Sequence, residues 1–323
     1  MKEPGSSPAN ATPLVARQAD VLRRLLDWDA QGLATALVTL VGIEGNSSRS
    51  PGTLMAVAAD GRSVGSFSAG CIEAAIVEEA VQVIAAGAGR TVRYGVGSSY
   101  IDLRLPCGGG IDLCFTPGPC RAALAGAVAQ VERREPAILA VREGGVGAGP
   151  LDGAFALTLT PALRIIAYGQ GEDLAVFARL AAFWGAEVEV VTPLDTLGEE
   201  VTALPVSLHA LRRHSEVPAI ASDAWTAHVF LFHDHDWEQA LLPAALALDG
   251  FYHGAIGSRR THHARLRMLE EAGTPATLVG RLRGRIGLIA STRDPATLAL
   301  SILAETVAAY RAIAPVVPAA SVG

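Results

Sequence analysis

The sequence predicts an α/β protein in two parts, an N-terminal mixed α/β domain followed by a doubly wound parallel-sheet domain. Three observations carry that prediction. The chain has 323 residues, about twice the usual domain size. Its first half holds short β-rich runs joined by turn signals, whereas from Leu163 apolar strands alternate with helical stretches. Between the two, Glu143 to Gly153 is rich in glycine, as a loop or hairpin near a domain boundary would be. The layout expected is a loose tail over 1–16, a first domain over 17–150, a second over 160–312 and a flexible tail over 313–323.

Val15 to Ala30 carries valines and leucines at helical spacing and reads as an amphipathic helix. Ala34 to Ile43 is β-rich and almost wholly apolar, which suits a strand buried on both faces. Leu54 to Ala58 and Val64 to Phe67 flank Asp60-Gly61, a favoured hairpin turn. Ile72 to Ala86 follows as a helix, with acidic Glu73 at its start and Gly87 as its stop. Thr91 to Val96 and Ile111 to Phe115 read as strands, Pro119 to Arg134 as a helix, and Pro136 to Val141 and Phe155 to Leu159 as strands.

The second half opens with the strand Arg164 to Tyr168, the turn Gly169-Gln170-Gly171, a helix to about Trp184 and the strand Glu187 to Val191. That is the first unit of a Rossmann-like sheet. Strands near His228 to Phe232 and Tyr252 to Ile256 continue it, and Asp294-Pro295 starts a last helix as N-cap and first helical residue.

Composition narrows the function. With 26 basic and 32 acidic residues the formal charge is −6, and aromatic content is 5%, so neither a phosphate-binding basic surface nor a base-stacking platform is indicated. No nucleic acid is expected as a partner. Half of the residues are hydrophobic, yet runs such as Leu33 to Ile43 are too short to cross a bilayer, and no secretion signal opens the chain. A cytoplasmic protein without membrane insertion is expected, and its apolar content makes a homodimer reasonable. Four cysteines in such a chain read as reduced thiols, not a disulfide framework.

Two of those thiols lie among glycines, in Gly65-Ser66-Phe67-Ser68-Ala69-Gly70-Cys71 and in Cys107-Gly108-Gly109-Gly110. Cys71 opens a helix, where free backbone N–H groups favour a thiolate. Both thiols are candidate ligands of a thiophilic metal. Cys114, inside an apolar strand, and Cys120, in a helix, are expected in the core. Ser47, Ser48 and Arg49 can offer two hydroxyls and a guanidinium to a phosphate or carboxylate. Gly257-Ser258-Arg259-Arg260, opening a helix after a strand, can hold an anion. Gly169 and Gly171 match part of the dinucleotide fingerprint, but Leu174 stands at its third glycine and Thr192 where a ribose-binding carboxylate would follow. The turn therefore supports the fold better than it supports NAD(P) binding. His233-Asp234-His235-Asp236, at a strand end, reads as a hydrogen-bonded loop before it reads as a metal site. A zinc site on Cys107, Cys114 and Cys120 lacks the close Cys-x-x-Cys spacing.

Taken together, Ser48-Arg49-Ser50-Pro51-Gly52-Thr53-Leu54-Met55, Gly65 through Glu73, Cys107-Gly108-Gly109, Gly169-Gln170-Gly171, the His233–Asp236 run, Tyr252 through Arg260 and Ser301-Ile302-Leu303-Ala304-Glu305 resemble the XdhC/CoxI family, accessory proteins of xanthine dehydrogenase and related molybdenum hydroxylases. The resemblance covers nearly the whole chain after about Leu22. It implies a chaperone that binds the molybdenum cofactor (molybdopterin) as cargo, holds it while a cysteine desulfurase sulfurates it, and delivers it to an apo molybdenum hydroxylase. On that reading Cys71 and Cys107 meet the metal. Ser48, Arg49, Gly65, Ser66, Ser68, Gly70, Glu73, Gly108 and Gly109 shape the pocket. The helix starts at Gly169, Gly171, Gly257, Ser258 and Arg259 add anion-binding groups. The alternatives are an NAD(P)-dependent oxidoreductase using the second domain and a structural adaptor that binds no small molecule.

Overall fold

A computed structural model describes residues 17–313 other than 69, 71, 99–107, 197–205 and 293. The tails expected at 1–16 and beyond Ile313, and the thiols Cys71 and Cys107, lie outside the described residues. The chain divides between Pro161 and Ala162 into two compact units.

The first unit begins with helix α1 (Gln18–Ala30), whose Val21, Leu22, Leu25 and Trp28 form the buried stripe that the periodicity predicts. Strand β1 (Thr35–Glu44) lies at the centre of an antiparallel sheet of order β3-β2-β1-β5-β4, with β2 (Leu54–Ala58), β3 (Ser63–Gly65), β4 (Arg90–Gly95) and β5 (Gly110–Pro117). Both faces of this sheet are covered, which is why β1 reads as a continuous apolar run. Ala36, Val38 and Leu40 pack with Ile76, Ala80 and Val83 of α2 (Glu73–Ala86). On the opposite face Leu37 packs with α1 and with Leu124 and Val128 of α3 (Arg121–Glu132). Burying each such leucine stabilises the unit by roughly 1.5–3 kcal/mol. Strands β6 (Ala137–Arg142), β7 (Gly145–Ala148) and β8 (Phe155–Leu159) form a small antiparallel sheet, so the glycine-rich stretch is in part the β6–β7 hairpin.

The second unit is a six-stranded sheet of order β11-β10-β9-β12-β13-β14, every neighbour pair parallel. Its strands are β9 (Arg164–Gly169), β10 (Glu187–Pro193), β11 (Ser207–Leu211), β12 (Thr226–Leu231), β13 (Tyr252–Ala255) and β14 (Leu282–Gly284). On one face lie α4 (Gly171–Trp184) and α8 (Pro295–Ile313). On the other lie α5 (Glu238–Ala247), α6 (Arg259–Glu271) and the short α7 (Ala276–Val279). The sheet is doubly wound and Rossmann-like.

Three readings are corrected. The third strand ends at Gly65, not Phe67, because Ser66 and Phe67 turn to bond Glu73. Cys120 is exposed, since it is the N-cap of α3 and precedes the first buried turn, whereas Cys114 is buried in β5. Apolar runs are not all short: α8 has the length and composition to cross a bilayer, but its Ala299, Ile302 and Leu303 fill the core against α4.

Candidate functional site

Antiparallel order brings the C-terminal ends of β1, β3 and β4 and the starts of β2, β5 and α2 to one end of the first sheet. The described residues of three connections therefore gather there, 45–53, 66–72 without 69 and 71, and 96–98 with 108–109. Together with Gly65, which ends β3, and Glu73, which opens α2, they carry the described site residues that the sequence marks in this unit.

The second connection is organised around the Glu73 carboxylate. Oε1 accepts from Ser66 Oγ (2.7 Å), Phe67 N (3.1 Å) and Ser68 N (2.8 Å). Oε2 accepts from Ser68 Oγ (2.7 Å), Gly70 N (2.8 Å) and Ile72 N (3.3 Å). Burial opposes the charge, but the Ser68 hydroxyl, the Ser68 amide and the Ser66 hydroxyl outweigh it and lower the carboxyl to about 2. This arrangement corrects the expectation of free amides at the start of α2. The two described amides flanking residue 71, those of Gly70 and Ile72, both donate to Glu73, so the loop is an anion nest filled from within. Gly70 holds a φ of +114° and Gly65 of +106°, and a Cβ at Gly65 would collide with Leu54 O.

The first connection straps the second. Ser48 Oγ donates to Phe67 O at 3.4 Å and Arg49 Nε to Ser66 O at 3.2 Å, while Arg49 N donates to Ser47 Oγ at 3.2 Å. The terminal nitrogens of Arg49 make no hydrogen bond with the described residues, so that half of the guanidinium stays available to an anion. The third connection closes against the first. Gly109 lies so near Asn46 O and Glu44 O that any Cβ would overlap them, and Gly109 O accepts from Val96 N at 3.1 Å. Gly108, with φ +69°, has open space where a side chain would be.

One feature of this end is invisible in sequence motifs. Arg93 of β4 forms two 2.8 Å bonds to Asp112 of β5 and a 2.5 Å bond to Glu44 of β1, which raises its pKa further. The network ties three strand ends at the base of the 96–109 connection. Its members are 49 and 19 residues apart and meet only through sheet register.

In the second unit Gly169 ends β9 and Gly171 opens α4, and Gly257, Ser258 and Arg259 follow β13, at the same carboxyl edge but with β12 between them. They form two places, not one. The N-terminus of α4 already has Glu172 and Asp173 in its first turn, and Asp173 Oδ2 pairs with His233 Nε2 at 2.8 Å. Those carboxylates stand where a dinucleotide's pyrophosphate would need positive potential. Thr192 is buried and Leu174 sits in the core, so the missing fingerprint residues are structural here. Ser258 caps α6 by accepting from Thr261 N at 3.1 Å, and Arg259 is exposed. The His233–Asp236 loop is held by hydrogen bonds: Asp234 Oδ1 accepts from Asp236 N at 3.1 Å and His235 Nδ1 meets Glu238 at 3.0 Å. Glu238 itself is fully buried and forked to Arg265 through two 2.7 Å bonds.

An antiparallel α/β unit followed by an all-parallel Rossmann-like sheet is the architecture of this chain, which belongs to the XdhC and CoxI family. The family model described by that name matches residues 28–95, and the model of the XdhC Rossmann domain matches 165–306. Among known proteins the chain is 33% identical, over 88% of its length and 86% of the relative's, to the molybdenum cofactor insertion chaperone PaoD of Escherichia coli. Its fold matches a crystal structure described as a xanthine dehydrogenase from Bacillus halodurans with a TM-score of 0.74, over 92% of this chain and 96% of that one, at 20% identity.

Proposed function

We propose that this protein is a maturation chaperone of the molybdenum cofactor, which binds the cofactor as cargo, holds it for sulfuration and delivers it to an apo molybdenum hydroxylase of the xanthine dehydrogenase type. The observation that carries the reading is the convergence of the described residues of the Ser47–Arg49, Gly65–Glu73 and Gly108–Gly109 segments at one sheet end, beside the terminal nitrogens of Arg49; in the sequence Cys71 and Cys107 adjoin these segments. The relative that shares most of the chain length is a cofactor insertion chaperone, which supports the same reading.

In this proposal Cys71 and Cys107 present soft sulfur to molybdenum, a thiophilic metal. Arg49 supplies the charge that the pterin phosphate requires. Glu73 does not face the cargo; it fixes the backbone that displays residue 71. The work takes place in the cytoplasm, the partners are the apo-hydroxylase and a cysteine desulfurase, and the chaperone acts as a homodimer.

The test is the molybdenum and pterin content of protein purified anaerobically from a cofactor-producing host. Near-stoichiometric pterin is expected in the parent and a loss of at least tenfold in Cys71→Ala or Cys107→Ala. An empty parent that also takes up no added cofactor refutes the chaperone reading; a loaded double mutant refutes the role of the thiols.

A further inference from the structure

Charge is distributed unevenly along this acidic chain. Between Arg259 and Arg285 lie seven arginines and only two glutamates, Glu270 and Glu271, within a protein whose net charge is −6. Two of the seven are internal: Arg265 is buried against Glu238, and Arg281 donates to Leu246 O and Gly250 O. Arg283 lies over the Tyr252 ring. The arginines of α6 that remain, Arg259, Arg260 and Arg267, are exposed and make no ion pair with any described acid.

Their placement opposes the field of their own helix. The first turn of α6 holds Arg259 and Arg260 and no acid, while Glu270 and Glu271 occupy its last turn. Cations stand at the positive end of the dipole and anions at the negative end, the reverse of the stabilising order. Arg260, His263 and Arg267 follow at intervals of three and four, so they share one outer face. Only Glu270 and Glu271, one turn beyond Arg267, adjoin this stripe among the described residues, and neither is ion-paired with it.

Beside the stripe runs a groove. One cavity of about 680 Å³ is bounded by Arg260, His263 and Arg267, and it shares Leu266 and Glu270 with a second of about 560 Å³. The second, between α6, α7 and β14, sets Leu266, Ala276, Val279 and Leu282 beside the polar His262, Thr274 and Glu270. The basic rim and these apolar side chains together select a ligand that is anionic on one side and apolar on the other. A bare phosphate would leave the apolar side chains unused, and a purely apolar segment would leave the arginines unpaired.

We infer that this face of α6 is a docking surface for an acidic amphipathic segment of a partner protein, one with carboxylates along one side and leucine-like side chains along the other. Carboxylates pair with Arg260 in the first turn and with Arg267 two turns further along the same face, and the apolar side chains cover Leu266 and Val279. Glu270 closes the far end and orients the segment by repelling its acidic side. This surface stands independently of the cofactor site.

The full chain is titrated against a fluorescein-labelled helical peptide with glutamates on one face and leucines on the other, read by anisotropy. Saturable binding is expected that weakens several-fold between 50 and 200 mM salt, as exposed charge pairs are screened at roughly these concentrations. The Arg260→Glu/Arg267→Glu variant should bind at least tenfold more weakly while its melting temperature is kept or raised, since Glu at residue 260 suits the helix dipole. Equal binding by that variant, or none by the parent, overturns the inference. Equal affinity for polyglutamate without leucines removes the groove from it, and displacement of the peptide by equimolar inorganic pyrophosphate replaces it with a phosphate site.

Discussion

Replacing Glu73 by glutamine keeps the shape of the side chain and removes its charge and one acceptor. Each carboxylate oxygen accepts three bonds, two of them from backbone amides: Phe67 and Ser68 on Oε1, Gly70 and Ile72 on Oε2. Whichever way the new amide turns, its NH2 faces two backbone N–H groups that cannot rotate away. Hydrogen bonds to charged acceptors contribute about 1.5–3 kcal/mol each, and water reaches this partly exposed loop, so a net loss of about 2 kcal/mol is expected. That corresponds to roughly 30-fold faster local opening. Hydrogen exchange followed by mass spectrometry over residues 66–76 measures it directly, with the β1 and β5 segments as internal controls. Bound pterin should fall in the same variant although Cys71 and Cys107 are untouched. Exchange within threefold of the parent, or unchanged pterin, would mean that the carboxylate does not organise the loop.

Two further outcomes follow from the geometry. His228 and His253 stack with ring centroids 4.7 Å apart, and burial lowers them to about 4 and about 3 from an ordinary 6.5. Because the folded values are depressed, the unfolded chain binds protons below pH 6.5 that the folded one refuses. Stability is therefore retained above that pH and falls as the pH drops, by about 2 kcal/mol per ring at pH 5. Urea midpoints at pH 7.5 and 5.0 should show this loss, and His253→Gln should show about half of it; equal losses would exclude the pair as the cause. Gly109→Ala places a Cβ against Asn46 O and Glu44 O and should cost several times more than Gly108→Ala, where only the left-handed φ of +69° is at stake, about 1 kcal/mol. Chemical denaturation of the two variants ranks them, and similar costs would refute the close approach.

The apolar spacing of Val21, Leu22, Leu25 and Trp28 and the continuous run of β1 specify their elements by themselves, because helix period and two-sided burial leave a local mark. Gly87 and Asp294 mark helix ends in the same way: one adopts φ +64° and the other accepts from Thr297 N at 2.8 Å. Ser207–Leu211 carries no such mark. It is an edge strand, polar at its start, and is a strand only because it pairs with β10.

The candidate site divides along the same line. The sequence alone determined which residue types surround the thiols, since glycine, serine and an acidic helix start are local choices, and it determined the alternation that builds a parallel sheet. Tertiary structure alone decided that the three connections share one sheet end, that the nest amides belong to Glu73, that Arg93 joins Glu44 to Asp112, and that Glu238 meets Arg265 from 27 residues away. Local propensity acts over a few residues of chain. Partners in a hydrogen-bonded nest or an ion pair are chosen by register and burial, which exist only once the strands have paired.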